Sequence, residues 1–117
     1  THCGWNSLLE SLWNGVPMVG CPRVAEQNTN LWLIEQWGIG VPGVDTIMGG
    51  IGTIRRATLT HALRRVMGEI GLGIDLTPLN LPKKVAQMAT AAHAASMPLG
   101  SSTQAFQEFV KDLLIKC

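Results

Sequence analysis

The chain has 117 residues, of which 46% are hydrophobic and 15% charged, and nine basic against eight acidic residues give a formal net charge of +1. This length allows one domain with a real core but not two. The near-zero charge excludes a dominant phosphate-tracking surface, so no nucleic acid is expected as a partner. Soluble domains usually carry about a quarter charged residues, so we expect part of this surface to be covered by another domain or by further strands.

Neither a membrane-spanning segment nor a metal centre is predicted. No uninterrupted apolar run reaches the roughly 18 residues that a membrane-spanning helix needs. Cys3, Cys21 and Cys117 are odd in number and lack the CxxC spacing, which argues against a disulfide framework and a zinc site. Cys3 lies beside His2, but no third ligand has suitable spacing, so Cys3 is assigned to packing. Reduced thiols and a cytoplasmic location are expected.

The first predicted elements are a helix and a strand. The segment SLLE at residues 7–10 has the spacing of a capping box, so a short helix is expected over residues 7–13, ending before Gly15. The apolar run from Val16 to Cys21 is flanked by Pro22 and contains a second proline. Its length and composition predict a buried parallel strand.

A second helix and strand follow at similar spacing. The helix is expected from Ala25 to Gln36, with Gly38 as its stop, and a brief strand from Ile39 to Val41 comes next. The glycine-rich segment 42–56 is interpreted as a loop. The apolar face of the helix is predicted to consist of Leu31, Trp32 and Ile34.

Three further helices are predicted over about residues 57–117. Helical spacing resumes between Leu59 and Met67, residues 68–80 are expected to form a loop, and Pro82 suits the first turn of an alanine-rich helix through Ala92. The last helix begins at Ser101-Ser102. The apolar stripes of the first and last of these helices are Leu59, Ala62, Leu63, Val66 and Met67, and Phe106, Phe109, Val110, Leu113 and Leu114.

This order of elements indicates the fold class. Alternating helices and strands followed by helices are typical of the back half of a doubly wound α/β domain. Two short strands do not make an independent parallel sheet, because each needs neighbours at its edges and helices on both faces. The prediction is therefore the distal part of a Rossmann-like α/β domain, incomplete as given.

The start of the first helix is a candidate anion site. A strand is expected to end at Thr1-His2, the chain turns through Gly4, and the helix is expected to begin at Asn6-Ser7. Free N–H groups and the positive end of the helix dipole favour a diphosphate there. Gly4 lets the backbone approach closely because it has no Cβ.

The most specific pattern lies in residues 1–27. THCGWNSLLESLWNGVPMV, with AEQNTN after Pro22, closely resembles the signature box of plant secondary-product glycosyltransferases, which are UDP-dependent family 1 enzymes. The beginning of the box would lie before Thr1. Looser similarity continues through WGIGV, LTHALRRVM, LGSS and FVKDLL. The resemblance implies that the chain is a partial C-terminal UDP-sugar-binding domain of a two-domain GT-B glycosyltransferase.

The resemblance also implies roles for residues around the predicted anion site. In the family, the positions matching His2, Asn6 and Ser7 contact the diphosphate, and the position matching Trp5 contacts it through its backbone. With Gly4 at the turn, these residues form the expected diphosphate site.

Three further residues are expected to bind hydroxyl groups. The family position matching Glu10 binds the ribose, and those matching Glu26 and Gln27 bind the sugar. Paired acceptors of this kind read a polyol well, because a hydroxyl left unpaired in a buried site costs about 1–3 kcal/mol.

Each candidate also has a plainer structural interpretation. Ser7 and Glu10 fit a capping box alone, which is common at helix starts. His2 in isolation is more often a hydrogen-bonded structural residue. Glu26 and Gln27 alone would be a solvated helix start. Only their common occurrence within the box favours the binding roles.

Some residues depart from the pattern or have no assigned role. Arg23 follows Pro22 where the family usually has an apolar or aromatic residue, and it could face the sugar or the acceptor. His61 and His93 are assigned to the surface or to packing. Core or domain contacts are expected for Trp13, Trp32 and Trp37.

The implied parent enzyme transfers a sugar from a UDP-sugar to a small lipophilic acceptor, such as a plant secondary metabolite, with inversion and without a metal or other cofactor. Glucose is expected, since glutamine at Gln27 tends to accompany glucose in the family. The histidine base of the family belongs to the N-terminal domain, so this chain alone is expected to be inactive and receives no catalytic residue. Two alternatives remain: a catalytically silent nucleotide-binding module, and a sterol or lipid glycosyltransferase branch, against which Trp5 argues.

Overall fold

A computed structural model of the chain describes residues 1–45, 47–48, 51–67 and 80–115. Five helices and four short strands lie in this part of the chain. The helices are α1 (Trp5–Trp13), α2 (Gln27–Trp37), α3 (Arg56–Met67), α4 (Leu81–Ser96) and α5 (Ser101–Ile115). The strands are β1 (Met18–Gly20), β2 (Gly40–Pro42), β3 (Ile47–Met48) and β4 (Ile51–Gly52).

The parallel sheet confirms the two predicted strands. β1 and β2 pair in parallel, with Met18 opposite Gly40. On the other side of β1, the Thr1 nitrogen donates to the Val19 carbonyl at 2.8 Å, and the Cys21 N–H donates to the Thr1 carbonyl at 2.8 Å. This alternation is the bonding pattern of a parallel ladder, so Thr1 continues the sheet. The segments before α1 and before α2 therefore leave the sheet at the same edge.

The core joins the sheet to α1, α2 and α4. α1 packs against both α2 and α4, and α2 packs against the two parallel strands. Full burial of a leucine, isoleucine or valine side chain stabilises the fold by about 1.5–3 kcal/mol. The main cluster consists of Cys3, Leu8, Leu12, Met18, Leu31, Ile34, Ile39, Val44 and Val85.

Two predictions about the first helices are wrong. α1 begins at Trp5 rather than at residue 7, its N-cap is Gly4, and no side chain caps it. The capping box is therefore absent, because Ser7 already lies inside the first turn. On α2, Leu31 and Ile34 are buried as predicted, but Trp32 is 57% exposed. It lies one residue beyond Leu31, and the 3.6-residue period turns it away from the sheet.

The predicted loop 42–56 contains a hairpin. β3 and β4 pair antiparallel, with Ile47 opposite Gly52. Asp45 closes its base, since its N–H donates to the Thr53 carbonyl and its carboxylate lies 3.1 Å from Arg55 Nε. Strands of two residues leave too little alternation for a sequence pattern to show.

The later helices begin close to their predicted positions, but several residues of their predicted apolar stripes are exposed. α4 begins at Leu81 with Pro82 in its first turn, and α5 begins at Ser101. In α3, Ala62 is buried, whereas Leu63 and Met67 are exposed. No residue of α5 is buried, so its apolar stripe is uncovered in this chain. The predicted loop 68–80 lies outside the described residues except for Asn80.

The chain is more extended than an ordinary domain of its length. Its radius of gyration is 17.5 Å, compared with about 13 Å for a compact domain of this size. This shape agrees with the expectation that the α/β fold is incomplete as given. Among the described helices, none is both long enough and apolar enough to cross a membrane.

Candidate functional site

The start of α1 opens onto a cleft of about 380 Å³. Thr1 pairs with β1 and is followed by α1, and β1 itself is followed by α2. Both helices therefore begin at the edge of the sheet where the parallel strands end. Ligands of open α/β sheets bind at this edge. The residues that line the cleft are His2, Gly4, Trp5, Asn6, Ser7 and Glu26. The structure thus brings together six of the eight predicted binding residues.

The first turn of α1 presents backbone donors to this cleft. The first hydrogen bond of the helix runs from the Leu8 N–H to the Gly4 carbonyl, at 3.0 Å. The N–H groups of Trp5, Asn6 and Ser7 precede it and have no carbonyl within the helix to bond. No acidic residue lies in this turn. The helix dipole therefore adds a positive field, and the arrangement suits an anion such as a phosphate group.

His2 lies directly over the turn that starts α1. A Cβ on Gly4 would lie 2.5 Å from His2 Nε2, which is closer than real atoms approach. The φ angle of Gly4 is −64°, which any residue adopts. The absence of a side chain at Gly4 therefore makes room for the His2 imidazole and is not needed for the backbone conformation.

Glu10 lies near the cleft but does not line it. It is exposed and follows Asn6 by one turn, so the two side chains share one face of α1. Because no capping box forms, the Glu10 carboxylate is not engaged at the helix start. It is placed to reach a ligand that extends from the first turn along this face.

The side-chain oxygen of Gln27 is engaged by hydrogen bonds within the protein itself. Gln27 Oε1 accepts hydrogen bonds from the backbone N–H groups of Arg23 and Val24, at 2.8 and 3.1 Å. An amide oxygen, and not its nitrogen, must face these two donors. Gln27 Oε1 is therefore engaged by the loop before α2, which leaves Nε2 as the polar atom of this side chain without such a contact, whereas Glu26 lines the cleft. That both residues bind the sugar stays a prediction.

Asn30 is a site-supporting residue that the sequence reasoning missed. It is only 4% exposed, and its Nδ2 donates to the Cys3 carbonyl at 2.8 Å. The sequence offered one signal for this contact: Asn30 precedes Leu31, which is predicted on the buried face of the helix. A buried amide needs a hydrogen-bond partner, so a contact of its side chain could be expected.

Cys3 and His93 serve packing. Burial raises the pKa of the Cys3 thiol, which favours its neutral form. His93 Nε2 lies 2.9 Å from the Trp13 carbonyl, and the two rings are 4.0 Å apart, so His93 holds the end of α1 against α4. Within the described residues, no group of three or more His, Cys, Asp or Glu side chains is placed to hold a metal ion.

The chain is similar to proteins of one family along nearly its whole length. It is 38% identical to UDP-glycosyltransferase 71B5 of Arabidopsis thaliana over 120 residues, which cover 97% of this chain and 23% of that protein. It is 38% identical over 115 residues to the flavonol 3-O-glucosyltransferase UGT71C4 of the same plant, covering 97% and 22%. The chain thus spans about a quarter of the length of the curated relatives it matches.

Solved structures agree with the fold. The crystal structure of Os79 from O. sativa in complex with UDP and deoxynivalenol-3-glucoside superposes with a TM-score of 0.77 at 32% identity, covering 95% of this chain and 24% of that one. A UGT transferase from Siraitia grosvenorii in complex with UDP gives a TM-score of 0.79 at 29% identity, covering 97% and 25%. The predicted α/β fold, a part of the GT-B architecture, is confirmed. The family described as UDP-glucoronosyl and UDP-glucosyl transferase matches residues 1–70, and the chain belongs to this family.

Proposed function

We propose that this chain is the C-terminal UDP-sugar-binding part of an inverting glycosyltransferase that modifies small lipophilic molecules. The observation that carries the proposal is the cleft at the start of α1, where His2, Asn6 and Ser7 surround unpaired backbone N–H groups. Two solved relatives, from O. sativa and Siraitia grosvenorii, hold UDP. The diphosphate of UDP is the anion that this cleft is proposed to bind.

The proposed chemical contribution is stabilisation of the leaving group. When the bond between the sugar and the diphosphate breaks, negative charge grows on the phosphate oxygen that departs. His2, the first turn of α1 and the helix dipole meet this charge without reorganising, which is the electrostatic term that usually contributes most to catalysis. Glu10 is proposed to bind the ribose, farther along the same face of α1.

The base that deprotonates the acceptor is proposed to lie in the rest of the protein. In the part of the chain that the structure describes, His93 contacts a backbone carbonyl, and neither His2 nor His61 has an acidic partner. A catalytic histidine needs an orienting group, and none is placed here. The chain spans about a quarter of its relatives' length, which leaves ample sequence for a facing domain. No metal is required by this scheme.

The proposed donor sugar is glucose. Glu26 lines the cleft and its carboxylate is an acceptor by its chemistry, while Gln27 offers an Nε2 donor beside it. A donor and an acceptor side by side bind two neighbouring hydroxyl groups. One relative is named a flavonol 3-O-glucosyltransferase and another a malvidin galactosylase, so the donor must be measured.

The test uses the full-length enzyme. UDP binding is measured by calorimetry, and sugar transfer is measured with UDP-glucose, UDP-galactose and UDP-glucuronate against a panel of phenolic acceptors. We expect UDP to bind and UDP-glucose to be preferred. If the enzyme transfers sugar but does not prefer UDP-glucose over the other two donors, the assignment of glucose is refuted. Failure to bind UDP would refute the function.

A catalytically silent nucleotide-binding module is the second candidate. The described residues, which hold no oriented histidine base, are compatible with this function as well as with the first one. The same assay separates the two functions. If the full-length protein is a silent module, it binds UDP but forms no product with any acceptor.

A cytoplasmic location is also proposed for the full-length protein. Cys3 and Cys21 are free thiols, as expected in a reducing compartment. Imaging of a fluorescent fusion tests this, and secretion of the fusion would contradict it.

A further inference from the structure

Cys3 is held in an uncommon backbone conformation between two residues that line the cleft, His2 and Gly4. Its φ angle is 63°, in the left-handed region that disfavours residues with a side chain. Its side chain is fully buried, and its sulfur lies over Gly20, where a Cβ would come within 2.8 Å of it. Its N–H donates to Thr1 Oγ1 at 3.2 Å. Such a conformation persists only where neighbouring contacts determine it.

Asn30 provides the contact that determines the direction of the next peptide group. Asn30 lies on α2, and its Nδ2 donates to the Cys3 carbonyl across 27 residues of sequence. Since the C=O and N–H of a trans peptide point in opposite directions, the Gly4 N–H points away from Asn30. Gly4 lines the cleft. The bond to Asn30 therefore holds the carbonyl group of this peptide toward α2.

We propose that Asn30 is a positioning residue for UDP binding, acting by fixing the Cys3–Gly4 peptide so that a donor, and not a carbonyl oxygen, faces the diphosphate. This inference rests on the proposed function of the same cleft. Asn30 also lies one helical turn after Glu26, and its N–H donates to the Glu26 carbonyl at 3.0 Å. It thus links the proposed sugar-binding end of α2 to the proposed diphosphate loop.

The experiment compares two substitutions at this position in the full-length enzyme. Asn30→Leu keeps a similar size and removes the donor. Asn30→Asp keeps the shape and donates to the Cys3 carbonyl only when its carboxyl group is protonated. Ile34→Val, one turn further along α2 and fully buried, is the matched control for a general loss of core packing. UDP affinity is measured by calorimetry, and the structure of each Asn30 variant is determined.

We expect Asn30→Leu to weaken UDP binding by about three- to tenfold, with Ile34→Val close to wild type. The affinity of Asn30→Asp, taken relative to wild type at each pH, should rise as the pH falls from about 8 to about 5, because a buried carboxyl group protonates in this range. If Asn30→Leu does not fold, the pH series of Asn30→Asp decides alone.

Equal losses in Asn30→Leu and Ile34→Val, or a relative Asn30→Asp affinity that does not change with pH, would overturn the inference. So would an unchanged Cys3–Gly4 peptide in both Asn30 variant structures, whether or not UDP binds. A wild-type enzyme that does not bind UDP refutes the proposed function instead, and the peptide direction in the variant structures still tests the role of Asn30.

Discussion

The imidazole of His2 occupies the space that a side chain at Gly4 would fill, with Nε2 only 2.5 Å from the position of a Cβ on residue 4. The two residues are therefore coupled: the small size of one sets the position of the other. Gly4→Ala should push the exposed imidazole away from the start of α1. The free energy of unfolding should change by about 1 kcal/mol or less, because the backbone at residue 4 suits alanine and a side chain can move.

This coupling predicts non-additive losses of UDP affinity. Gly4→Ala and His2→Ala should each weaken UDP binding. The double variant should bind UDP as well as the single variant with the lower affinity does, because both substitutions remove the same imidazole contact. Calorimetry on the full-length enzyme measures the three affinities. Strictly additive losses would show that Gly4 acts through its own backbone instead.

His2→Ala alone should weaken UDP binding by roughly 1–3 kcal/mol, the range for a hydrogen bond to a charged group. His61→Ala is the matched control, because His61 is an exposed histidine on α3 and does not line the cleft. The control should bind UDP as the wild type does. Equal affinities of the wild type and His2→Ala, in folded protein, would remove His2 from the site.

Substitutions at Gln27 should separate its two roles. Gln27→Glu retains an oxygen that accepts from the Arg23 and Val24 N–H groups but loses the Nε2 donor. We expect KM for UDP-glucose to rise by about tenfold, with UDP affinity nearly unchanged. Gln27→Ala also loses the loop contact and should impair both. Steady-state kinetics and UDP calorimetry measure this, and an unaltered KM in Gln27→Glu would contradict a sugar contact through Nε2.

The thiols should differ in reactivity. Burial raises the pKa of Cys3 above its ordinary value, whereas Cys21 is only partly buried. Since the thiolate is the reactive species, alkylation at mildly alkaline pH should modify Cys21 well before Cys3. Peptide mass spectrometry of the full-length protein, sampled over time, measures both rates. Faster labelling of Cys3 would show that the loop before α1 opens readily.

The 117-residue chain by itself should transfer no sugar. It offers no oriented base among its described residues, and a correctly placed base contributes about 10²–10⁴-fold. A facing domain that holds the acceptor near the sugar contributes further through positioning. Product formation from UDP-glucose with phenolic acceptors, compared with a full-length relative, is the measurement. Turnover at even about a thousandth of the relative's rate would contradict this division of labour.

The sequence alone determined the order of the helices, the two parallel strands and the place of the candidate cleft at the start of α1. These features depend on local patterns: the apolar run before Pro22, the period of α2, and the turn at Gly4 that opens α1. A helix N-terminus binds anions through adjacent backbone groups, so the segment that supplies most of the cleft is continuous in sequence. Neighbouring residues suffice to specify such features.

Only the tertiary structure decided which polar atoms remain available for a ligand. The contact of Asn30 with Cys3 spans 27 residues, and no spacing rule connects them. The Gln27 oxygen faces two N–H groups of its own loop, and that geometry depends on how the chain leaves β1. Trp32 faces solvent because the sheet lies on the other side of α2. Packing and the pairing of buried polar groups are long-range conditions, so they are satisfied only when the whole set of elements is in place.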